Sequence, residues 1–278
     1  MVNFGYHLAR AHGAMVRYIY IRSLSTIVRR KPAPRAVLPF EVYSYSGEAA
    51  LPEQVASIRS LLRHAGRPRK FTVVSDGTYT QRSVDLLQAI DGCVSVSPVT
   101  EWVAPDTIGR LHAYLSGHPT GKQLALIMSL PVHGPALYID SDVLFFASAA
   151  DLHALKNDSA PACYLADCQV SADERLFRDR AERDNPVNTG VLFISEKLDW
   201  AAAISRLLEL EEAPSFFTNQ TITQLAMHAN GARPLDPRKF VLQLDDQFVY
   251  RDRYAGPAIA LRHYVNPVRH KFWTSIAR

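Results

Sequence analysis

The chain has 278 residues, 47% of them hydrophobic and 21% charged, a balance that supports a sizeable buried core and excludes a disordered polyelectrolyte. The formal charge of +4 is unevenly placed: residues 1–40 carry seven Arg and Lys and no Asp or Glu, so the remainder is mildly acidic and a nucleic-acid-binding body is disfavoured. Cys93, Cys163 and Cys168 are too scattered for a disulfide framework or a paired zinc motif, and no apolar run reaches a membrane span or a secretory signal, so a reducing cytoplasm is the expected setting.

Residues 6–30 are expected to form one amphipathic helix, because Met15, Tyr18, Ile19, Ile21, Leu24, Ile27 and Val28 recur at helical spacing between arginines. Lys31-Pro-Ala-Pro-Arg35 breaks the pattern as a linker, which sets residues 1–36 apart from a domain at 37–278. An acid-free basic helix can lie on anionic lipid, which would place the protein at the inner face of the membrane; the alternative is that it packs on its own domain.

From Phe40 onward strands and helices alternate. Phe40–Tyr45, Phe71–Ser75 and Cys93–Ser97 read as strands, with helices at Pro52–His64 and Thr80–Ile90 between them. A helix at Lys122–Leu130 precedes a strand at Ala136–Ile139, and Cys163–Ala166 and Val191–Ile194 are further strands. Ser171–Asp184 is a charged surface helix or loop. Helices at Asp199–Leu210 and Phe217–Ala229 lead to a last strand, Ala258–Tyr264, and a tail, Asn266–Trp273. This order implies an α/β fold with a mostly parallel, Rossmann-like mixed sheet, helices on both faces, and ligands gathered at strand C-terminal ends.

The stretch Ala136-Leu-Tyr-Ile-Asp140-Ser-Asp142-Val-Leu-Phe-Phe146 places two carboxylates at the end of a buried strand. Such charges are costly to bury unless compensated, and a hard divalent cation, Mn²⁺ or Mg²⁺, takes oxygen ligands and shares them with substrate phosphates. In extended chain the i and i+2 side chains share a face, so both aspartates can reach one metal shell.

Together with Lys122-Gln-Leu-Ala-Leu-Ile-Met-Ser-Leu-Pro and Asn188-Thr-Gly-Val-Leu-Phe-Ile-Ser195, this stretch resembles the nucleotide-diphospho-sugar transferase (GT-A) fold, specifically glycosyltransferase family 8 and its relatives. The resemblance covers about residues 38–273. It implies a transferase that moves a sugar from a nucleotide diphosphate, UDP-sugars and retention of configuration being favoured, to a glycan, protein or lipid-linked acceptor. Asp140 would meet the ribose or sugar and, with Asp142, the metal. Asn188, Thr189 and Gly190 would line the sugar or acceptor pocket, Gly190 letting the backbone approach closely. His263 matches the third metal ligand of a late His-x-x-Gly-x-x-Lys-Pro-Trp motif, in which Asn266 replaces the glycine, Arg269 the lysine, and Trp273 falls two residues late. Arg269 and Lys271 suit a diphosphate on a flexible, lid-like tail. Phe217-Thr-Asn219-Gln220 matches a helix start where relatives carry an acid before the glutamine: Asn219 loses the carboxylate and Gln220 keeps the match. Leu244-Asp245-Asp246 offers other carboxylates, Asp245 as the catalytic candidate.

For the nucleotide, Ser44, Tyr45 and Ser46 after the first strand and Asp76 after the second are candidates, with Tyr45 to stack on a base, Asp76 to accept from it, and Lys122 to reach the donor. No glycine-rich phosphate loop is present, which leaves phosphate holding to cations and argues against a nucleotidyltransferase. Asp140-Ser-Asp142-Val143 also fits a haloacid-dehalogenase-like phosphatase with Asp140 as nucleophile, although three strand–helix units precede it. A non-catalytic nucleotide-sugar-binding protein is the remaining alternative.

Overall fold

The computed structural model describes residues 3–33, 36–107, 109–157 and 159–276; Pro34 and Arg35, the end of the expected linker, lie outside them. In chain order the elements are α1 (Phe4–Arg29), β1 (Glu41–Ser46), α2 (Leu51–His64), β2 (Phe71–Ser75), α3 (Gln81–Gln88), β3 (Val94–Pro98), α4 (Gly109–Gly117), α5 (Pro119–Met128), β4 (Ala136–Ile139), β5 (Val143–Phe145), β6 (Ala162–Ala166), β7 (Val187–Ile194), α6 (Ala201–Glu209), α7 (Thr218–Ala229), β8 (Arg233–Pro234), β9 (Phe240–Val241), β10 (Leu261–His263) and α8 (Arg269–Ser275).

Seven strands form one sheet in the order β3-β2-β1-β4-β7-β6-β8, and β5-β10-β9 form a second, small one. β1 to β4 are mutually parallel, β7 runs against both its neighbours, and β8 is parallel to β6. This is the mostly parallel mixed sheet expected. The period of two along β4 sorts its side chains: Leu137 and Ile139 join the core under α2 and α3, while Ala136 and Tyr138 join the core under α4 to α7. Because parallel strands are covered on both faces, β2 and β4 are apolar-rich and buried throughout. The β6–β7 pairing steps from Tyr164↔Leu192 to Leu165↔Asn188 and so skips residues 189–191, a bulge at the C-terminal end of β4.

Several short elements escape a periodicity reading: α4, the two-residue strands β8 and β9, the three-residue β5, and a 3-10 run at Ala147–Asn157. Segment 171–184 is a loop with two 3-10 turns rather than a helix. The tail is not a flexible lid. Asn266–Val268 is a 3-10 turn and α8 follows it, with Lys271, Phe272 and Trp273 buried.

Two contacts fix α8. The first is α1, which packs on the domain through its small residues: Ala9 and Gly13 are buried, and a Cβ on Gly13 would collide with the His270 carbonyl oxygen. Tyr20 packs on Trp273, with ring centroids 5.0 Å apart. The buried carboxylate of Glu53 on α2 receives Arg17 at 2.6 Å and the Trp273 Nε1–H at 3.1 Å, joining α1, α2 and α8.

The second contact is an ion cluster with no solvent exposure. Arg262 donates to both Asp246 oxygens (2.9 and 2.7 Å), to Asp252 Oδ1 and to the Gln243 carbonyl. Its guanidinium lies 5.0 Å from the ring centres of both Tyr254 and Tyr264. Asp252 Oδ2 accepts from Tyr264 and Ser275. Lys271 Nζ donates to the carbonyls of Val249 and Arg251 and lies 3.8 Å from Asp246. Two cations thus balance two carboxylates, which makes burial tolerable. Arg262→Met leaves both carboxylates enclosed beside one lysine and is expected to lower stability by about 3–5 kcal/mol, read as a shifted midpoint in urea unfolding.

Candidate active site

The backbone of Asp140–Asp142 is pinned from two sides as it leaves β4. Asp140 N–H donates to the Gly190 carbonyl at 2.9 Å, and the Asp142 carbonyl accepts from Tyr264 N–H at 3.0 Å. β10 pairs antiparallel with β5 in a register that sets His263 opposite Val143. Residues 121 positions apart therefore meet. His263 Nε2 lies 3.1 Å from Asp142 Oδ1 and 3.6 Å from Asp140 Oδ2, and one ligand atom from each of the three falls within 4.8 Å of the others.

Each group is oriented from behind. Asp140 Oδ1 accepts from the Tyr138 hydroxyl at 2.8 Å and from Gln123 Nε2 at 2.9 Å, which leaves Oδ2 to face His263. Asn188 Oδ1 accepts the Gly190 N–H at 2.9 Å, so it is the oxygen that meets His263 Nδ1, also at 2.9 Å. The Nδ1 atom must then carry the proton, and Nε2 is the nitrogen that can offer a lone pair to a cation. Asp142 Oδ2 is bound by the Arg269 guanidinium.

The electrostatics follow from crowding. Burial pushes Asp140 up to about 6, against the pull of His263 and helped by repulsion from Asp142. Burial also acts to raise Asp142, but His263 and Arg269 outweigh it and bring it down to about 2. For His263, burial disfavours the imidazolium, yet the adjacent Asp142 wins and its pKa rises. Two carboxylates so close are held by the His263 ring and the Arg269 guanidinium. The donor set of two carboxylates and one correctly oriented imidazole fits a divalent cation.

A cleft of about 320 Å³ opens over this cluster and is lined by Asp140, Asp142, Asn188, Thr189, Gln220, His263 and Arg269, all singled out from sequence. Gly190 sits behind His263 instead: a Cβ there would strike the imidazole ring, so the glycine serves the histidine rather than the approach of a substrate. Lys122 Nζ donates to the Asp76 carbonyl, and Asp76 Oδ1 is occupied by the N–H and hydroxyl of Thr78. The Tyr45 hydroxyl is enclosed, and its ring packs against the α4–α7 core.

Three candidates are corrected. Ser44 is fully buried and donates to Gln54 on α2, as Ser46 does, because strand alternation turns both away from the cleft. Lys271 belongs to the buried ion cluster. Asp245 lies outside the cleft lining, accepting from Tyr254 at 2.6 Å and paired with Arg253 at 3.5 Å.

Two cleft residues were missed by sequence reasoning. Asp167 follows β6, and its Oδ2 accepts from Asn188 Nδ2 at 3.1 Å and Gln220 Nε2 at 3.2 Å; its place at a strand C-terminal end was the available signal. Gln123 passes the constraint onward, since its Oε1 accepts from Asn219 Nδ2 at 2.7 Å. Asn219 thus holds the residue that holds Asp140. Gly190→Ala displaces His263 and is expected to weaken any divalent-cation binding at this trio by about tenfold to a hundredfold, measured by calorimetry with Mn²⁺, while the circular dichroism spectrum is retained.

No protein-family model matches the chain, and no curated protein matches it. Solved structures do. Galactosyltransferase LgtC in complex with donor and acceptor sugar analogues is similar at TM-score 0.57 and 15% identity, over 86% of this chain and 95% of that one. The bifunctional glycosyltransferase WbbM is similar at TM-score 0.59 and 14% identity, over 90% of this chain and 51% of that one. Mouse xyloside xylosyltransferase 1 is similar at TM-score 0.55 and 13% identity, over 84% of this chain and 99% of that one. The chain has the GT-A fold.

Proposed function

We propose that this GT-A-fold chain is a metal-dependent glycosyltransferase that moves a sugar from a nucleotide diphosphate, a UDP-sugar by preference, to an acceptor hydroxyl with retention of configuration. The observation that carries it is the convergence of Asp140, Asp142 and His263 at the floor of a cleft, with Arg269 beside them. These three would hold Mn²⁺ or Mg²⁺; the carboxylates suit both ions, and the imidazole suits Mn²⁺ better. When bound, such a cation neutralises charge gathering on the departing diphosphate.

The reaction breaks the bond between the anomeric carbon and the diphosphate oxygen and forms one to the acceptor oxygen, whose proton is lost. Arg269 is placed to exchange its contact with Asp142 for one with a phosphate oxygen, a bidentate partner of the same geometry. Asp167, Asn188 and Gln220 form a linked set of acceptors and donors suited to sugar hydroxyls. Asn188 acts on chemistry through His263, and Gln220 through Asp167. With Asn219 in place of an acid, that helix start supplies no carboxylate, and Asp167 is the carboxylate facing this part of the cleft. We place Asp76, Lys122 and Tyr45 around the nucleotide end, where α5 and the β2 loop meet.

Among the described residues no helix is long and apolar enough to cross a membrane. For the acceptor, a glycan that is lipid-linked or carried on protein is the reading retained, and the acid-free basic N-terminal segment is the feature that favours the lipid-linked case. The phosphatase alternative loses its footing because the aspartates follow the fourth strand of a GT-A sheet.

Asp142→Asn is expected to abolish Mn²⁺-dependent binding of the UDP-sugar that a thermal-shift screen selects, and turnover with it, while the fold is kept. Metal-dependent donor binding that survives the substitution would overturn the assignment.

A further inference from the structure

α1 has two unlike faces. Its small residues, Ala9 and Gly13, pack on the domain against α8. Its opposite side leaves large apolar side chains in water: Phe4 is 82% exposed, and Leu8, Met15, Tyr18 and Ile19 are each more than half exposed. These positions recur at intervals of three, four and seven, so they form one stripe along the helix. A monomeric soluble protein rarely leaves such a stripe uncovered.

The stripe is extended by a second part of the chain. Phe248 and Tyr250 are exposed as well. Phe248 lies against Tyr6, and Tyr250 stacks on His12 with a hydrogen bond of 2.9 Å. Arg22 and Arg29 on α1, Arg30 at its end and Arg251 beside the loop are exposed as well. Arg22 rests on the Tyr18 ring, 4.5 Å from its centre. No acid occurs in residues 1–40. An apolar stripe of aromatic and aliphatic side chains on a helix that carries arginines and no acid complements an anionic lipid surface, with rings at headgroup depth and guanidiniums on phosphates.

The same helix adjoins the cleft. A groove of about 390 Å³ between α1 and α8 is lined by Arg10, Arg17 and His270, and it shares Asn266 and Arg269 with the site over Asp142. We propose that the outer face of α1, with Phe248 and Tyr250, docks the protein on an anionic membrane, so that the groove leads from the lipid headgroups to the cleft. The acceptor that this geometry serves, a lipid-linked glycan with its phosphate in the groove, rests on the transferase reading; the docking itself does not.

The test is co-sedimentation with vesicles of phosphatidylcholine alone and of phosphatidylcholine with one third phosphatidylglycerol, without metal or donor. The wild-type protein is expected to partition about tenfold or more in favour of the anionic vesicles, and added salt weakens this. The Leu8→Glu, Met15→Glu, Ile19→Glu triple variant is expected to lose binding with its helical signal intact. Arg22→Glu with Arg29→Glu should cost on the order of fivefold or more per position. Equal partition into both vesicle types overturns the proposal, as does wild-type binding by the triple variant. A wild-type dimer in lipid-free sedimentation velocity that the triple variant converts to monomer also overturns it, since the stripe is then an interface between copies. Donor binding measured on the same proteins in free solution fails or holds independently and judges the transferase reading alone.

Discussion

The placement of His263 depends on a neighbour that never touches the cleft. Arg262 and His263 are consecutive on β10, so the pleat sends them to opposite faces. Arg262 goes into an enclosed pocket between two tyrosine rings, where Asp246 and Asp252 complete its charge. His263 then has one direction left, toward Asp140 and Asp142. A fully buried arginine with two carboxylates cannot shift register without stranding three charges, and a one-residue slip would exchange the two side chains. The ion cluster therefore contributes specificity of register more than stability, and the metal-ligand geometry inherits it.

The same logic runs through the rest of the site. Asn188 fixes the imidazole tautomer, and its own amide is fixed by Gly190 N–H and Asp167. Asp140 is aimed by Tyr138 and Gln123, and Gln123 by Asn219. Asp140 and His263 are thus each aimed by groups behind them, which is how a site keeps its geometry before a ligand arrives. Asn219 illustrates the consequence. Its amide closes a chain of hydrogen bonds to Gln123 and Asp140, and an unprotonated carboxylate at that position could not make the donation.

Much of this was legible in the residues themselves, and the failures have definite physical sources. β2 and β4 occur where apolar β-rich runs end in polar turns, and the paired aspartates advertise themselves because a buried strand seldom ends in two charges. Periodicity gives a strand its repeat but not its phase or its end, which is why Ser44, Tyr45 and Ser46 were all offered for the nucleotide, whereas β1 runs through them and the Ser44 hydroxyl meets Gln54. Lys271 was read as available because a lysine near arginine and histidine suggests anion binding; its compensating Asp246 lies 25 positions away and no local pattern announces it. Asp167 was invisible for the opposite reason, since a single aspartate after a weak strand is also what an ordinary turn contains. Elements of two or three residues, such as β5 and β9, exist only through their partners and carry no period of their own.

The tail differs from the His-x-x-Gly-x-x-Lys-Pro-Trp motif that it resembles, with Asn266 at the glycine and Trp273 two residues late, and it brings Arg269 to Asp142. α1 accounts for this. A seven-residue helix such as α8 cannot persist on its own propensity, and here it is clamped by Lys271 in the ion cluster and by Trp273 against Tyr20 and Glu53. Gly13 lets α1 approach until it meets the His270 backbone, one residue from Arg269. The N-terminal helix thus supports the segment that brings Arg269 to Asp142, although the DxD resemblance never reached it. Anything that displaces α1 from α8 therefore acts on Arg269, through the approach of Gly13 to the His270 backbone and the packing of Tyr20 on Trp273.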